Sequence, residues 1–215
     1  MKTLNKGILI AVEGIDGSGK STLALNLYQA LRTEYSSVTL TKEPGDSQLG
    51  LTLRSLLQEK PVPVCPKAEY LLFAADRAQH MHEVVAPALS KKSIVISDRM
   101  ADSSVVYQGY GRGLDIDMIA RINTWAMDGI TPDLVLYVSI PLSIALERIT
   151  LRKKPLSSFE QEQTQFTQKL LIGFEEIFKK KTNVINLDGT LAPQALMQTA
   201  KAALENWIDQ HRQQA

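Results

Sequence analysis

The sequence predicts an α/β protein with a parallel, doubly wound sheet of five strands and helices on both faces, and three observations carry that prediction. Five short apolar runs recur along the chain, at residues 7–12, 37–42, 93–97, 134–138 and 182–187, with segments of helical periodicity between them. The first run is continuous rather than alternating, as a strand buried on both faces requires. A glycine-rich signature follows that run at once and leads into a helical pattern.

That signature is Gly14-Ile15-Asp16-Gly17-Ser18-Gly19-Lys20-Ser21, which fits G-x-x-x-x-G-K-[ST] at every required position. Its glycines let the backbone curl until several N–H groups point at one anion, and the helix opening at Ser21-Thr22 adds its positive end. Lys20 is expected to stay solvated and reach the β- and γ-phosphates of a nucleotide, and Ser21 to offer its hydroxyl to Mg²⁺. A glycine-rich turn matching by chance is the alternative, and the agreement of strand, motif and helix speaks against it.

The second strand ends at Glu43-Pro44-Gly45, a turn on the carboxyl edge of the sheet, where open α/β folds place ligands. Residues 47–59 read as a helix, 61–66 as a stiff proline-rich connection and 67–89 as a long helix. On that long helix Phe73 and Arg77 share a face. Pattern alone favours Phe73 as core and Arg77 as a solvated charge paired with Asp76 or Glu83, over a ring and a guanidinium facing a planar base. The third strand ends in Asp98-Arg99, a carboxylate able to hold Mg²⁺ and a guanidinium able to grip a phosphate, or an ordinary polar turn. Residues 103–114 concentrate hydroxyls, an amide, an arginine and three glycines, and are expected to form a ligand-facing loop. Helices follow at 115–128, 141–152, 160–181 and 192–209, alternating with the last two strands. The cations Arg148, Arg152, Lys153 and Lys154 read either as a solvated face or as a lid over phosphates.

The chain has 215 residues, a length suited to one domain spanning 1–215. With 24 Lys and Arg against 23 Asp and Glu, the net charge of +1 provides no field for nucleic acid or a membrane surface. The single cysteine, Cys65, has no partner for an internal disulfide, no stretch resembles a signal peptide, and a cytoplasmic location is expected.

At this point the chain resembles the thymidylate kinase family along nearly its whole length. The matching residues are Val12 to Thr22, Glu43-Pro44-Gly45, Phe73 to His80, Asp98-Arg99, Ser103-Ser104, Tyr107-Gln108-Gly109 and Gly111 to Leu114. The resemblance implies a P-loop kinase fold with a short lid at about 148–160, ATP-dependent phosphorylation of dTMP to dTDP with Mg²⁺, and a homodimer. By position it implies that Gly14, Ile15, Asp16, Gly17, Ser18, Gly19, Lys20, Ser21, Thr22 and Arg148 meet ATP, and that Ser21 and Asp98 hold the metal. Asp16 would meet the sugar 3′-hydroxyl, Phe73 would stack on thymine and Arg77 would bond its O4. Arg99 would grip the acceptor phosphate, with Glu43, Pro44, Ser104, Tyr107 and Gln108 completing the pocket. Lys20, Asp98, Arg99 and Arg152 are the catalytic expectation.

Three departures stand out. Lys42 precedes the Glu-Pro-Gly turn where the family has Arg, and Asp46 follows it where the family has Gly. Gly17 occupies the place where one branch of the family carries a P-loop arginine. The lid has Ser157-Ser158 in place of the family's Asp-Arg, leaving Arg148 and Arg152, with Lys153 and Lys154 as point charges, to supply a transition-state cation. Other readings are a kinase for a different nucleoside monophosphate or a deoxynucleoside, or a nucleotide-binding module without turnover.

Overall fold

Strands β1 (Ile8–Glu13), β2 (Val38–Lys42), β3 (Ile94–Asp98), β4 (Leu134–Ser139) and β5 (Val184–Asp188) form one sheet, in the order β2-β3-β1-β4-β5, in the computed structural model, which describes residues 1–59, 62–152, 156–162 and 164–212. Every pairing is parallel. From β1 the chain moves to one side for β2 and β3 and to the other for β4 and β5. The crevice that this change of direction opens lies at the carboxyl end of β1, where the glycine-rich loop begins. Register sets the functional edge: Val12 and Lys42 both stand opposite Asp98, so β2 and β3 end at one level and β1 one residue beyond it.

Side-chain alternation explains why the central strands are apolar throughout. Ile8, Ile10 and Val12 pack with α1 (Lys20–Leu31) and α9 (Pro193–Arg212) through Leu23, Leu27, Leu196 and Leu204. Leu9 and Ala11 pack on the opposite face, with Val106, Phe166, Leu170 and Phe174. Both faces are thus covered and no polar residue is tolerated inside β1 before Glu13.

The long helix expected at 67–89 is α3 (Pro66–His80), a π-helical turn (Met81–Val85) and α4 (Ala86–Ser90) in succession. The widened turn comes just before Pro87, which has no N–H with which to continue a regular ladder. Helices α2 (Gln48–Glu59), α6 (Ile116–Ala126), α7 (Leu142–Leu151) and α8 (Thr164–Phe178) fall close to the expected positions.

The segment 103–114 is not the loop its composition suggested. It forms α5 (Ala101–Ser104) and a π-helical stretch (Val105–Gly111), and the chain turns only at Gly113, where φ is +77°. Val106 and Tyr107 are buried, and Gly109 and Gly111 serve close packing. A Cβ on Gly111 would lie 2.6 Å from Phe166 Cε2 and 3.1 Å from Leu170 Cδ2, so this segment approaches α8 at backbone distance. Gly111→Ala is expected to lower stability by about 1–3 kcal/mol through overpacking, measured by urea unfolding, with part of the loss recovered in the Gly111→Ala, Phe166→Leu double variant relative to the sum of the single changes.

Candidate active site

The loop after β1 is shaped by its packing. Gly17 has φ +82° and its absent Cβ would sit 2.4 Å from the carbonyl oxygen of Ala145 on α7, so no side chain fits at this position. The helix that carries Arg148 toward the loop therefore takes the space that a loop arginine would need. Lys20 differs from expectation: it is only 6% exposed, with Nζ 3.1 Å from Asp16 Oδ1 and 3.3 Å from the Ile15 carbonyl. Ser21 and Thr22, at the start of α1, are exposed.

Arg99 stands across the crevice with φ +74°, a conformation that non-glycine residues seldom adopt. Its guanidinium donates to the Gly14 carbonyl at 3.1 Å, Ser103 Oγ at 3.0 Å, Tyr107 Oη at 3.0 Å and Asp16 Oδ1. Tyr107 Oη donates in turn to Asp16 Oδ2 at 3.1 Å, and the guanidinium carbon lies 4.8 Å from the Tyr107 ring centre. One carboxylate thus joins the loop lysine to the arginine of β3. Burial works to raise the Asp16 pKa, but the charges of Arg99 and Lys20 outweigh it and hold the group well below the usual carboxylate range. Burial likewise opposes the charge on Arg99, and the anion of Asp16 keeps it on. The Tyr107 phenol is pushed up by burial.

Asp98 ends β3 beside this cluster, and its Oδ1 is buried with no hydrogen-bond partner among the described residues. An oxygen so placed, with the exposed Ser21 hydroxyl, is a donor set suited to a hard divalent cation such as Mg²⁺. Among the described residues no group of three His, Cys, Asp or Glu is arranged to hold a metal by itself, so nucleotide phosphates and water would complete the shell.

Phe73 and Arg77 reach the same cleft, and the pattern-based reading of Arg77 as a solvated charge is overturned. Arg77 is 1% exposed. Its Nε and Nη2 meet Glu43 Oε2 at 2.9 and 2.7 Å, Nη1 meets Asn123 Oδ1 at 2.6 Å, and Nη2 also meets Ser104 Oγ at 3.1 Å. The other oxygen of Glu43 lies 3.0 Å from His80 Nδ1. Burial would raise the Glu43 pKa, yet Arg77 and His80 hold it low. Asp76 turns the other way, to about 6, through burial and the charge of Glu43, while Oδ1 accepts from the Gly45 N–H. The Pro44 carbonyl accepts from Arg54 at 2.7 Å, and Lys42 lies 3.8 Å from Asp46. Gln108 is buried and donates to Glu69 at 3.1 Å.

Arg152, Leu156, Ser157, Phe159 and Glu160, in the region expected as a lid, line the cleft. Ser158 donates from its backbone to the Gln58 carbonyl at 3.2 Å and from Oγ to the Leu57 carbonyl at 3.0 Å, which caps the last turn of α2. Phe159 packs 5.9 Å from the rings of both Phe73 and Tyr107. Arg152 pairs with Glu160, whose second oxygen accepts the Ser157 N–H at 2.9 Å. Arg148 Nη1 donates to the Gly189 carbonyl at 2.7 Å. Lys153 and Lys154 lie outside the described residues.

A cleft of about 760 Å³ brings together Asp16, Gly17, Gly19, Lys20, Ser21 and Thr22 with Glu43, Pro44, Phe73 and Arg77. Asp98, Arg99, Ser104, Tyr107, Gln108, Arg148 and Arg152 line the same cleft. Gly14 borders it through the carbonyl that receives Arg99; Ile15 and Ser18 are buried beneath the loop. Sequence reasoning missed Arg54 and Phe159, which also line the cleft, and Glu13, Glu69 and Asn123, which support it. Glu13 had a signal: it is the charged last residue of an otherwise apolar strand. Its carboxylate accepts from Met100 N at 2.8 Å, Ser103 N at 3.3 Å and Ser103 Oγ, and so fixes the turn that carries Arg99.

A glycine-rich loop between the central strand and its helix, opening on the same cleft as Arg77 and Arg99, defines a P-loop kinase fold. The family model described as thymidylate kinase matches residues 12–200, and the chain belongs to that family. Similar proteins include thymidylate kinases from Halothermothrix orenii, 46% identical over 143 residues (66% of this chain and 69% of the relative), and Kosmotoga olearia, 38% identical over 186 residues (86% and 89%). A third, from Thermosipho africanus, is 37% identical over 201 residues, 94% of this chain and 99% of the relative.

The buried Glu13 carboxyl is pushed up to about 7 by burial and by the neighbouring charge of Asp102. A folded-state pKa above the unfolded one means that the stability this group contributes is complete below about pH 4.5 and is lost as pH rises through about 7. Glu13→Gln is therefore expected to flatten the decline in unfolding free energy between pH 5 and 8 by on the order of 2–3 kcal/mol, measured by denaturant titration across that range.

Proposed function

We propose that this chain is an active kinase in which the cleft takes ATP and dTMP end to end and transfers the γ-phosphoryl group to the dTMP phosphate, forming dTDP and ADP. The observation that carries the reading is Asp16, whose single carboxylate joins Lys20 of the phosphate loop to Arg99 of the opposite wall. The two cations are the groups that would hold donor and acceptor phosphates, and they face one another across one anion. Such transfer asks the protein for alignment and charge neutralisation rather than covalent chemistry.

The backbone N–H groups of residues 14–21 and the start of α1 bind the β- and γ-phosphates, and Lys20 adds its ammonium. Arg99 meets the acceptor phosphate by exchanging part of its bonding to Gly14 and Asp16 for phosphate oxygens; Asp16 and Tyr107 orient the sugar, and Phe73, Arg77, Ser104 and Gln108 receive the base. Glu43 and Pro44 serve from behind, since the Glu43 carboxylate is spent on Arg77 and His80. Ser21 and Asp98 would hold Mg²⁺, which neutralises charge on the β- and γ-phosphate oxygens when it arrives with ATP. The lid excludes water that would otherwise compete as acceptor.

The chain acts as one domain and, in this reading, as a cytoplasmic homodimer. No helix among the described residues is long and apolar enough to cross a membrane. The outer surfaces of α3 and α6 expose Leu71, Met118 and, at 79%, Trp125, which supports an interface between two copies there.

Release of ADP measured with dTMP, dUMP, dCMP and thymidine as acceptors tests the reading: dTMP is expected to be preferred, and ADP release with none of them would reject it. In the same assay Arg99→Ala is expected to weaken dTMP use roughly tenfold to a hundredfold, the equivalent of ~1.5–3 kcal/mol, with ATP little affected. Arg152→Ala is expected to lower kcat with little change in either KM, and Arg152→Lys to recover little, because an ammonium does not bridge two oxygens as a planar guanidinium does. Normal turnover of Arg152→Ala alongside a defective Arg148→Ala would transfer that role to Arg148.

A further inference from the structure

We propose that Asn123 is a positioning residue for acceptor-base recognition, holding Arg77 so that one guanidinium hydrogen remains for a ligand in the cleft. The inference rests on the reading of Arg77 as the base-facing donor. A guanidinium has five N–H groups. Nε donates to Glu43 Oε2, Nη2 lies 2.7 Å from the same oxygen and donates to Ser104 Oγ, and one Nη1 hydrogen goes to Asn123 Oδ1 at 2.6 Å. These contacts engage all three nitrogens and leave a second hydrogen on Nη1, the nitrogen that Asn123 orients.

The Asn123 amide has only one workable orientation. Its Oδ1 accepts from Arg77 Nη1, while Nδ2 donates to the Ala101 carbonyl at 3.2 Å; the one Tyr70 hydroxyl hydrogen is shared between the Ile119 carbonyl at 2.9 Å and this Oδ1 at 3.1 Å. Flipping the amide would set NH₂ against the guanidinium and oxygen against a carbonyl, exchanging attraction for repulsion at both ends. The side chain is 4% exposed and is not part of the cleft wall, so any effect it has on a ligand passes through Arg77. Through Ala101 the same amide reaches the segment that begins two residues after Arg99, so one side chain on α6 ties the base-facing arginine to the phosphate-facing one.

Three variants separate the possibilities, with thermal melts and initial rates on dTMP and dCMP. Asn123→Leu keeps the shape but removes the acceptor, and is expected to raise the dTMP KM roughly tenfold and narrow the dTMP over dCMP preference, with kcat and the ATP KM nearly unchanged. Asn123→Asp keeps an acceptor for Arg77 while losing the donor to Ala101, and is expected to retain most of the preference. Equal losses in the Asp and Leu variants, or an unchanged preference in the Leu variant, would overturn the proposal. If the melt shows Asn123→Leu to be unfolded, Asn123→Ala takes its place in the comparison. Arg77→Met guards the premise: if it uses dTMP normally, the base-facing reading fails, whereas a defect there with a normal Asn123→Leu rejects the positioning role alone.

Discussion

Everything at the site depends on the level at which three parallel strands stop. Val12, Lys42 and Asp98 stand in one row of the sheet, so the phosphate loop, the Glu-Pro-Gly turn and the Asp-Arg turn leave the same edge within reach of one another. Parallel register with both faces buried is strongly specified, because a slip of one residue would turn Leu9 and Ala11 to the wrong layer and with them the whole apolar set. The hydrophobic effect therefore fixes the spacing of polar groups that it does not itself touch.

The charges on that edge are satisfied by each other rather than by water. Arg77 and Glu43 are buried together, and removing one partner of such a pair costs about 3–5 kcal/mol because the other charge is left stranded. Arg99 and Lys20 share Asp16 in the same way. Both arrangements hold a guanidinium in a fixed orientation, which is what alignment-driven catalysis needs. Glu13 extends this principle below the site: its carboxylate holds the turn on which Arg99 adopts a backbone conformation that few residues tolerate.

The segment expected as a lid is held by a connected set of contacts. Ser158 holds this segment to the carbonyls of Leu57 and Gln58 at the end of α2 through its hydroxyl and its N–H, and the Ser157 N–H donates to Glu160. Glu160 in turn holds Arg152. Phe159 then rests against Phe73 and Tyr107, so the segment joins the aromatic wall of the cleft. Gly17 fits the same scheme, since α7 packs on the loop at a distance that admits no side chain.

The amino-acid sequence by itself determined the five strands, their parallel pairing, the phosphate loop and the resemblance to thymidylate kinases. Those features are written in short-range patterns: apolar runs, glycine spacing and helical periodicity between them. It misjudged residues 103–114, because glycines that permit close packing of helices look the same in a sequence as glycines that loosen a loop. Local pattern misread Arg77, which the family resemblance had placed at the base, for a related reason: its partners Glu43, Ser104 and Asn123 lie 27 to 46 positions away, and no local pattern tells a solvated cation from one with its partners brought in by the fold. Lys20 turned inward, Glu13 became a buried support and Phe159 met Phe73 on the same grounds. Local chemistry chose the elements; only the tertiary structure decided which charges met, because that depends on contacts made across the sheet between residues distant in the chain.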